Sequence, residues 1–260
     1  TSLPEWYFLS GKIEGMEITT RKIELLQTGE LFNNLTEKEV IRVIEVAHPH
    51  RVEDGAFFFL EGETANRCYV LLAGQVKLTQ VTDDGQQVIL GYLNPGREFG
   101  ILSLVERVDY LVSAEAVEKS RALYWDRAAL DYIVDRYPRI VQNAMCIMVR
   151  QIREFQNRVR ELSTQRVERR IARMILRLAR QSGRKTERGV LIDLPITRQD
   201  IAEMTGTTLY TVSRVLSDWG KRGLVQSKRQ QVVITYPHGL VSLAEDIPVD
   251  NIEQGEIDIS

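Results

Sequence analysis

The stretch ITRQDIAEMTGTTLYTVSRVLSDWGKRG, residues 196–223, decides the reading of this chain. Thr197 stands where an N-cap belongs, ahead of RQDIAEMTG (198–206), and Asp200 occupies the capping-box position three residues on. Gly206 closes a tight turn. The next helix, TTLYTVSRVLSDWGKRG (207–223), repeats apolar residues at Leu209, Val212, Val215 and Leu216 and stops at Gly223. Two helices of this size, joined by a turn of three to four residues containing Gly, spell a helix-turn-helix. Ile201, Ala202 and Met204 are expected to meet Val212, Val215 and Leu216 in its small core. Two alternating runs follow, LVQSK (224–228) and QVVITY (231–236), with a turn at Arg229–Gln230, which is the pattern of a β wing.

Such a module must fit its second helix into a major groove about 12 Å wide, so the exposed side chains at that helix's start reach base edges. Here these are Thr208, Leu209, Tyr210, Ser213 and Arg214. Arg214 can donate two hydrogen bonds to guanine O6 and N7. Thr197, Arg198 and Gln199, at a helix start, suit phosphate oxygens, and Lys228 and Arg229 in the wing turn suit the neighbouring backbone. Charge agrees. Residues 165–236 carry net +9, whereas residues 1–164 carry −5 and residues 237–260 carry −6, in a chain of net −2. A compact basic segment within an acidic chain is the footprint of a module for double-stranded DNA. The competing reading is a solvated basic face on a helix-turn-helix used only for packing.

Upstream, RVERRIARMILRLARQ (166–181) forms an amphipathic helix, with Val167, Ile171, Ile175 and Leu178 on one side and arginines around the rest. Gly183 ends it, and Gly189 leads into a strand-like VLIDLPI (190–196). Before it, Pro138 opens a long helix on which Val141, Met145, Met148, Ile152, Phe155, Val159 and Leu162 are spaced 4-3-4-3-4-3. That is an a/d seam of about three heptads, the pattern of two helices pairing, so a homodimer is expected along it. Ile140, Ala144 and Ile147 broaden the apolar face toward the chain's own domain.

Between residues 48 and 125 the texture is β-rich. FFFL (57–60), CYVLL (68–72), QVKLTQV (75–81), QVILGYL (87–93), LVSAEAV (111–117) and ALYW (122–125) are separated by turn signals, including glycines at 62, 74, 85 and 96. This rhythm marks an antiparallel sandwich or jelly roll. Thr36 caps a helix over EKEVIRVIEVA (37–47), with Glu39 at its capping-box position.

The expected fold is therefore α+β. An N-terminal extension (1–20) precedes an antiparallel β jelly-roll domain (21–136), a dimerisation helix (137–164), a winged helix-turn-helix (165–236) and an acidic tail (237–260). The length of 260 residues and 43% apolar content suffice for two cores. No apolar run nears a membrane span, and the start TSLPEWYFLSGK is not a secretory signal, so the expected compartment is the cytoplasm. Two cysteines exclude a disulfide framework and a four-cysteine iron–sulfur cluster. Neither a Ser/His/Asp arrangement nor a phosphate-cradling Gly-rich loop or HExxH occurs, so no catalytic residue and no resident metal is expected.

The chain resembles the cyclic-AMP receptor protein / fumarate-and-nitrate-reduction regulator (Crp/Fnr) superfamily of bacterial transcription factors over roughly residues 22–236. The likeness rests on ITRQDIAEMTGTTLYTVSRVL (196–216), GQVKLTQ…NPGREFG (74–100) and the long helix ahead of the DNA-binding module. It implies a cyclic-nucleotide-binding-type barrel, a dimer, a palindromic operator and RNA polymerase as a partner. It also implies where an effector would sit. In cyclic-AMP-binding members a Glu after the Phe–Gly turn holds the ribose, and an Arg about ten residues later holds the phosphate. Here Phe99–Gly100 is followed by Ile101, the Arg position falls at Leu111, and the adenine-contacting pair of the dimer helix corresponds to Phe155–Gln156. Burying a cyclic phosphate without its Arg costs several kcal/mol, on the order of an unpaired buried charge. Cyclic AMP is thus not the expected effector.

Ile101, Leu102, Leu111, Val112 and Phe155 are the candidates for an apolar effector pocket, or equally for a filled core with no ligand. Haem stays open through His48, His50 or Cys68. FGILSL (99–104) is similar to the turn of the nitrogen-control branch, and Arg150 and Arg153 could face a carboxylate effector. The recognition helix departs as well: where many members place a Glu or Arg–Glu pair, this chain has Leu209–Tyr210, able to touch thymine methyls instead. An effector-independent regulator and a low-specificity architectural DNA binder are the alternatives.

Overall fold

A computed structural model describes residues 20–245, which divide into two compact units between Glu154 and Phe155. All of the expected N-terminal extension except Thr20, and the acidic stretch after Glu245, lie outside the described residues.

The first unit opens with α1 (Thr20–Thr28) and α2 (Glu37–Glu45). Strands β1 (His48–Val52), β2 (Phe57–Phe59), β3 (Arg67–Ala73), β4 (Val76–Val81), β5 (Gln87–Leu93), β6 (Glu98–Phe99), β7 (Ser113–Ala116) and β8 (Ser120–Asp126) follow, with one 3-10 turn at Ile101–Leu104. α3 (Arg127–Arg136) and the long α4 (Arg139–Thr164) come next. The strands form two four-stranded antiparallel sheets, β1-β8-β3-β6 and β2-β7-β4-β5, the jelly roll read from the turn rhythm. The two-residue β6 and the polar β1, HPHRV, were not legible as strands.

Period-two alternation places the cores. On β3 and β8, Cys68, Val70, Leu123 and Trp125 face the helices, where Leu26, Phe32, Ile44, Leu130 and Ile133 cover them. Tyr69, Leu71 and Ala122 point the other way, into the sandwich, against Phe58, Phe59, Phe99, Tyr110 and Ala114. The Trp125 indole N–H donates to the Val43 carbonyl at 2.8 Å, so the largest buried ring is also hydrogen-bonded. Thr36 and Glu39 form the expected capping box. Glycine is required at position 100, where φ is +72° and a Cβ would lie 2.7 Å from the Arg67 carbonyl oxygen.

The two faces of α4 behave as their residues demand. Ile140, Ala144 and Ile147 are buried in the helix-side core, and Val141, Met145 and Ile152 are exposed. Met148, counted in the seam from its spacing, is only partly buried and packs against that core, while the adjacent Val149 is exposed.

The second unit contains the last turns of α4, then α5 (Val167–Ser182), β9 (Gly183–Thr186), β10 (Gly189–Ile192), α6 (Arg198–Thr205), α7 (Leu209–Lys221), β11 (Val225–Lys228), β12 (Gln231–Ile234) and α8 (Pro237–Glu245). Its antiparallel sheet runs β11-β12-β10-β9. Two readings are corrected here. The strand expected over 190–196 ends at Ile192, and GRKT (183–186) pairs with it as a hairpin. The segment read as an acidic tail from residue 237 begins instead with α8, which packs on α5 and buries Leu240 and Ala244. Its apolar residues were hidden by averaging over the acidic residues that follow.

Candidate nucleic-acid interface

The helix-turn-helix is built by its caps. The Thr197 hydroxyl accepts from the Asp200 amide at 3.1 Å, and the Asp200 carboxylate accepts from the Thr197 amide at 2.7 Å. Gly206 ends α6 in the left-handed conformation, φ +59°, which an L side chain adopts only at a cost. Thr208 then caps α7, accepting from the Thr211 amide at 3.2 Å. Val212, Leu216 and Trp219 bury one side of α7, and Ile201 and Ala202 bury the facing side of α6. Met204 and Val215, expected in this small core, are only partly buried. Trp219 closes the core and donates to Glu168 at 2.8 Å; only its apolar spacing from Val212 and Leu216 could have announced it.

With that side buried, the helix presents the other. Leu209 is 48% exposed and Tyr210 78% exposed, and Arg214 is exposed on the same face, one turn beyond Tyr210. Ser213 is half-buried on the shoulder of that face. Lys228 and Arg229 sit exposed at the tip of the wing, where Lys228 pairs with Gln231 across the turn. Arg198 is half-buried at the start of α6. The expected contact residues at the helix starts are thus together on α6, α7 and the wing of one unit, but their hydroxyls have other work. Thr197 and Thr208 spend theirs on capping, and the Gln199 amide donates to Glu203 at 2.9 Å.

Much of the positive charge in this unit serves its own architecture. Arg169 and Arg173 both donate to the Ala244 carbonyl at the end of α8, at 2.7 and 3.0 Å. Arg170 donates to the carbonyls of Thr205 and Gly206 at the helix-turn-helix turn, at 3.1 and 3.3 Å. Arg177 donates to both oxygens of Glu161, which is 8% exposed, at 2.9 and 3.0 Å. Arg169, Arg170 and Arg173 thus satisfy carbonyls that helix ends leave without partners, and Arg177 neutralises a buried carboxylate. The hairpin β9–β10 adds Arg184, Lys185 and Arg188, all exposed, which the sequence reading left unassigned.

The effector-pocket candidates of the first unit face different surroundings. Ile101 is buried in the helix-side core, and Leu102 and Val112 border the sandwich core. Leu111 is 62% exposed. Phe155 belongs to the second unit and is 63% exposed. The sandwich interior is occupied by rings: Phe59 stacks on Tyr110 at 3.8 Å between centroids, Tyr69 on Phe99 at 5.0 Å, and Phe58 meets Phe99 edge-on at 5.1 Å. Arg150 forms an ion pair with Glu30, which also holds Arg97 at 3.1 Å, so it is not a free partner for a carboxylate effector.

The donors considered for haem do not fit one group. His48 and His50 share the face of Tyr124 and Tyr69, whereas Cys68 is on the opposite face of β3, fully buried among helix residues. Burial pushes the Cys68 thiol well above its ordinary pKa, which disfavours the ligating thiolate. Among the described residues no cluster of three or more His, Cys, Asp and Glu is arranged to hold a metal ion.

A jelly roll, a long helix with an exposed apolar row and a winged helix-turn-helix with an unobstructed reading face define a DNA-binding regulator of the winged-helix class. Comparison with known proteins agrees. Residues 49–137 match the cyclic nucleotide-binding domain, and residues 169–243 match the Crp-like helix-turn-helix domain. The chain is 30% identical over 196 residues to the transcriptional activator protein FnrA of Stutzerimonas stutzeri, covering 74% of this chain and 79% of that protein. It is 27% identical over 213 residues to a CRP-like cAMP-activated global transcriptional regulator of Mycobacterium tuberculosis, covering 82% of this chain and 95% of that protein. A solved CRP-family transcriptional regulator from Thermus thermophilus superposes with a TM-score of 0.63 at 26% identity, over 75% of this chain and 96% of the other. The chain belongs to the Crp/Fnr superfamily of transcription regulators. Among the described residues no helix is long and apolar enough to cross a membrane.

Proposed function

We propose that this regulator works in the cytoplasm as a homodimer that reads a palindromic operator through α7 and recruits or hinders RNA polymerase there. The observation that carries this reading is the face of α7. Its core side is fully buried, while Leu209, Tyr210 and Arg214 stand open at its start beside the exposed Lys228 and Arg229 of the wing. To read a palindrome, the α7 helices of the two protomers must stand about one DNA turn, roughly 34 Å, apart.

Arg214 reads a guanine, whereas Arg198, Lys228 and Arg229 hold phosphates. Arg214→Ala should then cost roughly 1–3 kcal/mol per half-site on the operator and far less on random DNA, while Lys228→Ala weakens both about equally. Titrations of both variants against operator and random DNA at two salt concentrations test this. Equal loss on both DNAs for Arg214→Ala would remove α7 as the reading element. Loss of all preference for the operator would favour an architectural binder.

The effector is not cyclic AMP in this reading, although a relative is named for its activation by cAMP. Ile101 and Leu111 offer no group to the ribose or to the phosphate charge. The ring-filled sandwich favours a second reading, in which the regulator responds to no small molecule and its output follows its abundance.

A further inference from the structure

Of the exposed side chains at the start of α7, Leu209 is apolar and Tyr210 presents an aromatic ring with a hydroxyl at its tip, where DNA recognition usually employs charged or amide groups. Leu209 and Tyr210 are the first two residues of the helix, and neither takes part in the buried side formed by Val212, Leu216 and Trp219. They are also spared from capping, which Thr208 performs. Tyr210 and Arg214 are separated by four residues, so they lie on one face about 6 Å apart along the axis.

We propose that Leu209 and Tyr210 form a methyl-reading surface, which selects DNA carrying a 5-methylpyrimidine in each half-site within about two base-pair steps of the guanine bound by Arg214. This deepens the operator reading above and rests on it. In the major groove the C5-methyl of thymine is the one apolar feature that a base pair offers, and it distinguishes T·A from the other pairs. Leucine and the face of the tyrosine ring offer no hydrogen bond to a guanine or a cytosine amine, and where they cover those groups they would leave them stripped of water. A methyl group set against them is removed from water on both sides. The helix sets the upper bound: 6 Å along α7 spans at most nearly two steps of about 3.4 Å.

The test uses the full chain and an operator selected from random-sequence DNA. Each thymine of the half-sites is then replaced by deoxyuracil, which deletes only the methyl. One position per half-site should lose about three- to fivefold in affinity, or about tenfold to twenty-fivefold with both half-sites changed, the value of one buried methyl. Leu209→Ala and Tyr210→Ala alter exposed side chains and leave the buried side of α7 intact. They should bind the thymine and uracil operators with nearly equal affinity, while Arg214→Ala keeps the methyl preference at lower overall affinity. Placing 5-methylcytosine instead of cytosine at that position should recover part of the methyl-dependent affinity. An operator bound specifically but indifferent to every thymine methyl would overturn this inference and leave the DNA-reading role standing. Failure to select any sequence would overturn that role instead. Methyl preference surviving both Leu209→Ala and Tyr210→Ala would place the reader elsewhere.

Discussion

Replacing Ile152 by Glu should take the protein apart into protomers. Ile152 is 57% exposed on α4, in a row with Val141, Met145, Phe155, Val159 and Leu162, all of which expose a third or more of their surface. Full burial of such a side chain stabilises by roughly 1.5–3 kcal/mol, so each half-exposed residue has about 1 kcal/mol left to gain from a partner helix. Six residues in two copies give about 12 kcal/mol gross, against an association cost of about 4–15 kcal/mol. The margin is narrow. Ile152→Glu forfeits about 2 kcal/mol across the pair and sets two carboxylates in the middle of the seam, where desolvation and repulsion add several kcal/mol more. The dimer dissociation constant should rise at least about a thousandfold, roughly 4 kcal/mol. Because the residue faces outward, the protomer should keep its fold. Asn157→Glu, which adds the same charge away from the row, should leave assembly unchanged. Sedimentation velocity across a concentration series, with circular dichroism as the folding control, reads both. A dimer of unaltered affinity in Ile152→Glu would show that the exposed row is not the interface.

Cyclic AMP added to the protein should give no calorimetric heat and no change in operator affinity, because Ile101 is buried in the core and Leu111 faces solvent without charge; micromolar binding would require a pocket other than the one inferred from the family. Stability should depend on His50. Burial first, and then the nearby Arg67, hold its imidazole below the ordinary pKa. The unfolded chain therefore binds the proton more readily, so His50's share of stability is complete above about pH 6.5 and is lost as pH falls from there through the folded value. Thermal melts between pH 7.5 and 5 should show this decline, and His50→Phe should flatten it; equal slopes in the two proteins would discount the imidazole. The salt dependence of operator binding should report few phosphate contacts. Arg198, Lys228 and Arg229 in two protomers give a log–log slope near −5, at about 0.9 per phosphate, and a slope near −16, as expected if the full +9 of each segment counted, would mean that the arginines of α5 also reach DNA.

The elements with local signatures were legible in the sequence. The caps at Thr36 and Thr197 work through neighbours three residues away, and the alternation of β3 and β8 needs only the order of apolar residues; Thr208, read as part of the helix, proved to be its cap. Elements defined by a distant partner were not. β1 carries His, Pro and Arg and is a strand because β8 supplies its ladder from His48–Tyr124 to Val52–Ser120. The two residues of β6 exist as a strand only beside Tyr69 and Val70. The effector-pocket candidates of the first unit diverge for the same reason. Ile101 and Leu102 adjoin in sequence, but the 3-10 turn sends them toward different cores, and Leu111 is left outside both.

Charge was the signal most easily over-read. Net +9 between residues 165 and 236 suggests a surface coated for phosphate. Yet Arg169, Arg170, Arg173 and Arg177 donate to carbonyls of α6 and α8 and to the buried carboxylate of Glu161. Nothing in the sequence separates such an arginine from one that awaits DNA, because its partner is a carbonyl that becomes available only where a helix ends, or, for Arg177, a carboxylate sixteen residues away. The distinction comes from packing. An arginine whose helix face is covered must find its acceptors inside, and α5 is covered by both α6 and α8. Arg214 lies opposite the buried side of α7, and Lys228 and Arg229 lie at a turn tip, so theirs must come from outside. In the reading proposed above, specificity and affinity for DNA are concentrated in a few side chains at the start of α7 and on the wing, while Arg169, Arg170, Arg173 and Arg177 hold those elements in place.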